Sequence, residues 1–224
     1  DVLDVGQGDA IFVETPAGRQ VLIDGGPSPS VLLSQLGKRM PFWDRSLDLV
    51  VLTHPDEDHI TGLVEVLDRY QVDAVLFREM GCCDPICERW DELISERHVT
   101  VYEAERGMGV ALEEDVRMDV LHPGAALRRS GTFNDHSVVL RLDYDQISFL
   151  LTGDIEAVTE KELLAERLPV SSTVLKVAHH GGCSSSTQAF LEAVRPSVAV
   201  ISAGEDNDFG HPCDEVLDRL GAFV

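Results

Sequence analysis

No stretch of the 224-residue sequence holds eighteen consecutive apolar residues, which excludes a membrane-spanning helix. A charged-then-apolar leader and an initiating Met are also missing, so the sequence is expected to be a segment of a longer protein without an export signal of its own. Lysine is scarce. Lys38, Lys161 and Lys176 are the only three, and 18 basic residues face 40 acidic ones for a formal net charge of −22. A protein that grips DNA through many phosphates presents a basic face. Tight autonomous DNA binding is therefore not expected, and either a small substrate or a polymer delivered by an attached domain fits the charge better. Short internal repeats and low-complexity segments are absent. The one G-x-G, Gly6-Gln7-Gly8, runs into a strand-like segment instead of a helix, which excludes a dinucleotide fingerprint.

The 44% apolar content is enough for one large core, so residues 1–224 are expected to form a single domain. Five cysteines are an odd number. Cys82, Cys83 and Cys87 share a short loop, where an 82/87 or 83/87 disulfide in an oxidising compartment is favoured over a structural zinc that lacks an adjacent fourth ligand. Cys183 and Cys213 each follow a candidate active-site His, and buried free thiols remain an option. The sequence does not choose among these.

The chain is organised around Leu47 to Gly62, LDLVVLTHPDEDHITG. An apolar run to Leu52 reads as a buried strand that stops at Thr53, and Ile60, Leu63, Val64 and Leu67 then recur at helical spacing. The turn between them carries His54, Asp56, Asp58 and His59 in the pattern H-x-D-x-D-H. Two imidazoles and two carboxylates so crowded repel one another and resist desolvation unless a cation holds them. Divalent ions of borderline hardness take this nitrogen and oxygen mixture.

Before this turn, strands are expected at Asp1 to Val5, Asp9 to Glu14 and Gln20 to Ile23, then a helix from Ser28 or Ser30 to about Met40. After the helix through Tyr70 come a strand at Val72 to Phe77, a loop at Arg78 to Ile86, a helix at Trp90 to Arg97 and a strand at Val99 to Tyr102. Glu103 to Asp115 reads as acidic and turn-rich. A strand at Val116 to Leu121, a polar loop with Arg128 and Arg129, and a hairpin of Val138 to Leu142 with Ile147 to Leu151 follow. The series closes with helix Glu156 to Arg167, strand Thr173 to Ala178, helix Thr187 to Val194, strand Val198 to Ile201 and helix Asp214 to Leu220. Strands inside and helices outside, in two halves, give an α/β protein arranged as a four-layer αββα sandwich.

The ligand turn resembles the H-x-H-x-D-H loop of the metallo-β-lactamase fold, with Asp56 in place of the second His. Together with DVGQGDA, NDHSVVLRL, LLTGD, LKVAHHGG and FGHP, found in order along the chain, it resembles the soluble C-terminal domain of the ComEC family of DNA-uptake channel proteins. The resemblance implies that Asp24 braces the ligand loop through hydrogen bonds and that Asp154 bridges two metals, as its two oxygens allow. Strand alternation makes joint ligation by His179 and His180 unexpected, so His179 is taken as ligand of the second site with Asp58, His59 and Asp154, and His180 as lining the pocket. The first site keeps His54, Asp56 and Asp154. Where most of the superfamily supplies another His, this family carries Asn and Ser around Asn134 to Ser137, so Asn134 is expected behind the ligands, His136 is a possible substitute, and the first site is weakly held. One or two divalent ions follow, oxygen-rich ligation favouring Mn2+ with Zn2+ admissible.

A turn at Gly181 to Thr187 entering a helix suits phosphate, with Ser184 and Ser185 as contacts, though Gly182 stands where the family usually has Ser. Lys176 is either a phosphate contact or a structural salt bridge. The implied reaction is metal-dependent phosphodiester hydrolysis. Asp58 or Asp154 would orient the nucleophile, and His180 or His211 would donate to the leaving oxygen. What the resemblance implies is a nuclease at the extracytoplasmic face of the plasma membrane, degrading the DNA strand that is not taken up in natural transformation. Its partners would be single-stranded DNA, weakly held, and the channel portion of the same protein. The rival functions are hydrolysis of a small phosphodiester such as a phosphocholine ester, and an idle gating domain of the channel.

Overall fold

The computed structural model describes residues 1–81, 84–124 and 132–224. The chain divides into two compact units, Asp1–Glu103 and Ala104–Val224.

In the first unit β1 (Ile11–Glu14) and β2 (Gln20–Ile23) form a hairpin, and β2, β3 (Ser46–Leu52), β4 (Gln71–Phe77) and β5 (Thr100–Glu103) run parallel in the order β1-β2-β3-β4-β5. Parallel neighbours need crossovers, supplied by α1 (Pro29–Gly37), α2 (Glu57–Arg69) and α3 (Pro85–Arg97). The apolar run of β3 has the burial expected of a strand covered by helices, with Val50 and Val51 fully enclosed. Ile60, Leu63, Val66 and Leu67 turn one face of α2 into the same core as Leu32, Leu36 and Trp90.

One close approach positions the ligand turn. A Cβ at Gly62 would lie 2.0 Å from the Gly25 carbonyl oxygen. Only glycine there lets the start of α2 touch the exit of β2, where the Gly25 N–H donates to the His59 carbonyl at 2.8 Å and the Gly62 N–H to the Gly26 carbonyl at 3.0 Å. Alanine is intrinsically the better helix former by about 1 kcal/mol. Gly62→Ala is nevertheless expected to destabilise the fold by about 1–3 kcal/mol, because the clash forces backbone apart. Thermal melting followed by circular dichroism checks the sign.

Three expectations change here. Asp1 to Val5 makes only a single antiparallel bridge, Val2 to Ile11. The strand expected from Asp9 starts at Ile11, because the Asp9 backbone is drawn to the ligand loop: its N–H donates to the Asp58 carbonyl at 3.2 Å and its carbonyl accepts from Gly26 at 2.8 Å. Helix α3 begins at Pro85, not Trp90, with the Asp84 carboxylate accepting from the Ile86 N–H at 2.9 Å as its cap.

The second unit holds a six-stranded sheet, β11-β10-β9-β8-β7-β6, from β6 (Gly109–Ala111), β7 (Val116–His122), β8 (Val139–Tyr144), β9 (Ile147–Leu151), β10 (Val174–Lys176) and β11 (Val198–Val200). Strands β6 to β9 are antiparallel neighbours, whereas β10 runs parallel to β9 and β11. Strand β6 was not foreseen in the acidic stretch, where its three residues carry no alternation. Helices α4 (Ala157–Ala165), α5 (Gln188–Val194) and α6 (Asp214–Leu220) complete the unit, whose core gathers Leu150, Leu175, Val177, Phe190, Leu191 and Val216. The Glu160 carboxylate is buried at the start of α4 and accepts from the Ser186 and Thr187 N–H groups. Burial pushes its pKa up against those hydrogen bonds.

Candidate metal centre

In the first unit the end of β2 carries Asp24 and the end of β3 carries Thr53 and His54, because both parallel strands stop at the same edge of the sheet. The Asp24 carboxylate is buried and accepts three hydrogen bonds. Its Oδ1 accepts from the Thr53 N–H at 2.8 Å, and its Oδ2 accepts from the Thr53 hydroxyl at 2.7 Å and from His59 Nδ1 at 2.8 Å. The hydroxyl has one proton and gives it to Asp24, so it accepts from His54 Nδ1 at 3.0 Å. Both imidazoles therefore carry a proton on Nδ1, and in the neutral ring the lone pair is on Nε2.

Those two nitrogens point toward acids. His54 Nε2 stands 3.5 Å from Asp56 Oδ2, His59 Nε2 stands 3.8 Å from Asp58 Oδ1, and the ring centroids are 4.1 Å apart. Lone pairs and carboxylates so arranged repel unless a cation lies among them, and the donor set is one that divalent ions take. Asp9 joins the cluster, with Asp9, Asp24 and His59 each offering a ligand atom within 4.8 Å of the others. A Cβ at Gly8 would fall 2.1 Å from the Asp58 carbonyl oxygen, so the G-x-G turn is what lets Asp9 reach this loop. From sequence, Asp9 heads the expected strand Asp9 to Glu14 and carries no ligand role. A lone Asp opening an apolar strand was the available signal.

In the second unit Asp154 follows β9 and is buried. Its N–H donates to Ser137 Oγ at 3.2 Å, its Oδ1 lies 3.5 Å from Lys176 Nζ, and its Oδ2 lies 3.0 Å from His180 Nε2. His180 Nδ1 is 2.8 Å from the Ser202 carbonyl, which can only accept, so Nδ1 holds a proton, and in the neutral ring the lone pair on Nε2 faces Oδ2. A shared cation is what such a pair accommodates.

The reasoning from strand alternation does not apply to the two histidines. Strand β10 ends at Lys176, and His179 and His180 occupy a short 3-10 turn with φ of 51° and 52°. His180 is the one turned to Asp154. His179 stands 3.3 Å from Glu156 and 3.5 Å from Ser184 Oγ through Nδ1, and 3.5 Å from Asn134 Nδ2 through Nε2. Burial pushes its pKa down, opposed by Asp154 and Glu156. The His211 ring lies 5.2 Å from that of His179 and 6.3 Å from that of His180, and it stacks on Phe209. The Asn207 side chain pins this loop, accepting from the Phe209 and His211 N–H groups.

Two anion contacts expected above have internal roles in the structure. Ser185 is fully buried and donates to the Ala178 and Gly182 carbonyls. Lys176 is 1% exposed, donates to the Gly153 carbonyl at 3.0 Å and stands 3.5 Å from Asp154 Oδ1. Ser184 remains exposed and donates to Glu156 at 3.0 Å. Gly182 has a steric role: a Cβ there would be 3.0 Å from His211 Nε2. His136 lies on the 3-10 turn Asn134–His136. Arg141 is engaged by Asp143 and the Pro169 carbonyl, and Arg128 and Arg129 lie outside the described residues.

Cys183 and Cys213 form a disulfide, joining the turn that carries His179 and His180 to the loop that carries His211. The Cys213 N–H donates to the Gly181 carbonyl at 2.9 Å across the same junction. The sequence had not paired these two. Cys87 is also disulfide-bonded; Cys82 and Cys83, and with them the 82/87 and 83/87 alternatives, lie outside the described residues.

The family model described as Metallo-beta-lactamase superfamily matches residues 3–205. Among curated proteins, the chain is 33% identical to ComE operon protein 3 of Bacillus subtilis, over 98% of this chain and 30% of that protein. It is 31% identical to Recombination protein 2 of Haemophilus influenzae, over 100% of this chain and 26% of that protein. The chain thus spans less than a third of either relative's length. Among solved structures, the metallo-beta-lactamase fold protein YhfI from Bacillus subtilis is similar with a TM-score of 0.61 at 12% identity, over 100% of this chain and 92% of that one, a likeness of fold. With the match covering most of its length, and with two mixed sheets and flanking helices that place histidines and aspartates at their strand ends, the chain belongs to the metallo-beta-lactamase superfamily.

Proposed function

We propose that the chain is a metal-dependent phosphodiesterase, a nuclease acting on the DNA strand that is not transported during natural transformation. The observation that carries the reading is the pair of imidazoles at the end of β3 and start of α2, each fixed through Nδ1 so that Nε2 faces an aspartate. The name of the longer relative Recombination protein 2 supports DNA as the substrate. Metal ligands are proposed from His54, Asp56, Asp58 and His59 in the first unit and from Asp154 and the His179-His180 turn in the second, with His180 favoured by its 3.0 Å approach to Asp154. When bound, a divalent ion would supply Lewis acidity toward a phosphoryl oxygen and lower the pKa of water. Mn2+ is favoured over Zn2+ by the share of carboxylate donors.

The chain's own groups do the rest. Asp24 holds His59, and through Thr53 also His54, in the ligating tautomer. His211, half-buried and stacked on Phe209 beside His179, is placed to give a proton to a leaving oxygen. The Cys183–Cys213 disulfide supports an oxidising, extracytoplasmic setting. The channel portion of a longer protein would deliver the substrate that a charge of −22 repels.

Purified protein with Mn2+ should cleave single-stranded DNA and bis-p-nitrophenyl phosphate. Cleavage of the small ester without DNA would move the substrate to small phosphodiesters, and cleavage of neither would leave a gating domain. Asp24→Asn should lower metal affinity by about 10–100-fold, the usual cost of losing a group that orients a ligand, because the amide replaces one acceptor oxygen with a donor. Calorimetric Mn2+ titration measures it.

A further inference from the structure

Only two tryptophans are present, and they are used oppositely. Trp90 is in the core, whereas Trp43 is 74% exposed and packs edge-on, at 4.7 Å between ring centroids, against Phe42, which is 86% exposed. Both lie in the segment Lys38-Arg39-Met40-Pro41-Phe42-Trp43-Asp44-Arg45, between α1 and β3. The ligand residues follow the other end of β3. A seven-residue strand separates the two places by roughly 20 Å at about 3.3 Å per residue, so the aromatic pair is not part of the metal centre.

Beside the pair is a cavity of ≈ 310 Å³ lined by Phe42, Met40, Asp44, Arg45, Arg69 and Tyr70 among others, about the lower size of ligand pockets. Two of the chain's 18 basic residues, Arg45 and Arg69, line it, and Lys38 and Arg39 precede the aromatic pair in the same segment. Arg39 is paired with Asp1 and Arg69 with Glu65, while Lys38 and Arg45 are exposed and have no ion pair among the described residues. Exposed rings, a pocket edged by a phenol and guanidinium groups, and two uncommitted cations are the components of a stacking platform for single-stranded nucleic acid.

We propose that Phe42, Trp43 and the adjoining Arg45–Tyr70 cavity bind single-stranded nucleic acid by stacking bases, remote from the metal centre. Stacking is the mode open to this protein. A chain of net charge −22 gains little from phosphate contacts, whereas every base offers a face to an aromatic ring whatever the surrounding charge. A lipid surface fits less well, because Asp44, Arg45 and Arg69 line the concavity behind the rings and would have to be desolvated on insertion. The inference rests on this surface and not on hydrolysis, so binding and cleavage fail separately.

The test is a titration in EDTA with a short oligothymidylate, followed by tryptophan fluorescence. Trp43 is the exposed reporter. Saturable quenching is expected, and by anisotropy with a labelled oligonucleotide Trp43→Ala and Phe42→Ala should each weaken binding by about 5-fold or more. Because about two cations take part, the slope of log affinity against log salt should be only about −1.4, and Arg45→Ala should bring it to about −0.7. Both rings are exposed, so unchanged melting should accompany the weaker binding. Absence of quenching by the oligonucleotide, unchanged affinity in both ring variants, or a response to anionic phospholipid vesicles but not to the oligonucleotide would each overturn the proposal.

Discussion

Asp58→Ala is expected to abolish hydrolysis and to remove bound metal while leaving the fold in place. The side chain is 28% exposed and contributes nothing to the apolar core, and the backbone contacts of residue 58, to Gly8 and to the Asp9 N–H, involve its carbonyl and survive the change. What disappears is the carboxylate 3.8 Å from His59 Nε2. A group that merely orients a ligand is worth about 10–100-fold, so loss of a ligand itself should push metal affinity and turnover below about one hundredth of wild type. Elemental analysis after dialysis, with melting compared against the metal-stripped wild type, separates a lost ion from a lost fold. Full metal retention would remove Asp58 from the centre. His54→Ala is expected to cost less, since the resemblance places it in the more weakly held site.

Cys183→Ser should lower stability by about 3–4 kcal/mol, the chain-entropy value for a loop of this length, given the sequence separation of 30 between the bonded cysteines. In a chain of 224 residues that corresponds to a fall in melting temperature of roughly 10 °C. The substitution is preferable to a reducing agent because Cys87 is also disulfide-bonded. The effect should reach activity too. The bond ties the His179-His180 turn to the loop of His211, a junction that the Cys213 N–H to Gly181 carbonyl bond also spans. A melting temperature within a degree or two of wild type would show that the two loops are held by other contacts.

Much of the scaffold was legible because its physics is local. The run Leu47 to Leu52 could hardly be other than a covered strand, and the helical recurrence from Ile60 fixed the ligand turn between two elements. The ordered motifs then carried the fold class, and the superfamily match agrees. What sequence did not carry is long-range or conformational. Asp9 enters the cluster only because Gly8 lets two loops touch. Strand alternation, sound for β10 itself, could not order His179 and His180, which lie past the strand's end in a left-handed backbone. Cys183 and Cys213 were each noted beside a histidine, but pairing depends on two loops distant in sequence coming together. Ser185 looked like an anion contact by its place before a helix, and its burial appears only in three dimensions.

The central claim is that these histidines and aspartates hold a divalent ion, and Mn2+ paramagnetic resonance on metal-stripped protein tests it most directly. The signal of the free aqueous ion should be suppressed through the first one or two equivalents added, and should return at the first addition in Asp58→Ala. A free-ion signal that grows linearly from the first addition to the wild-type protein, with no bound fraction, would contradict the account.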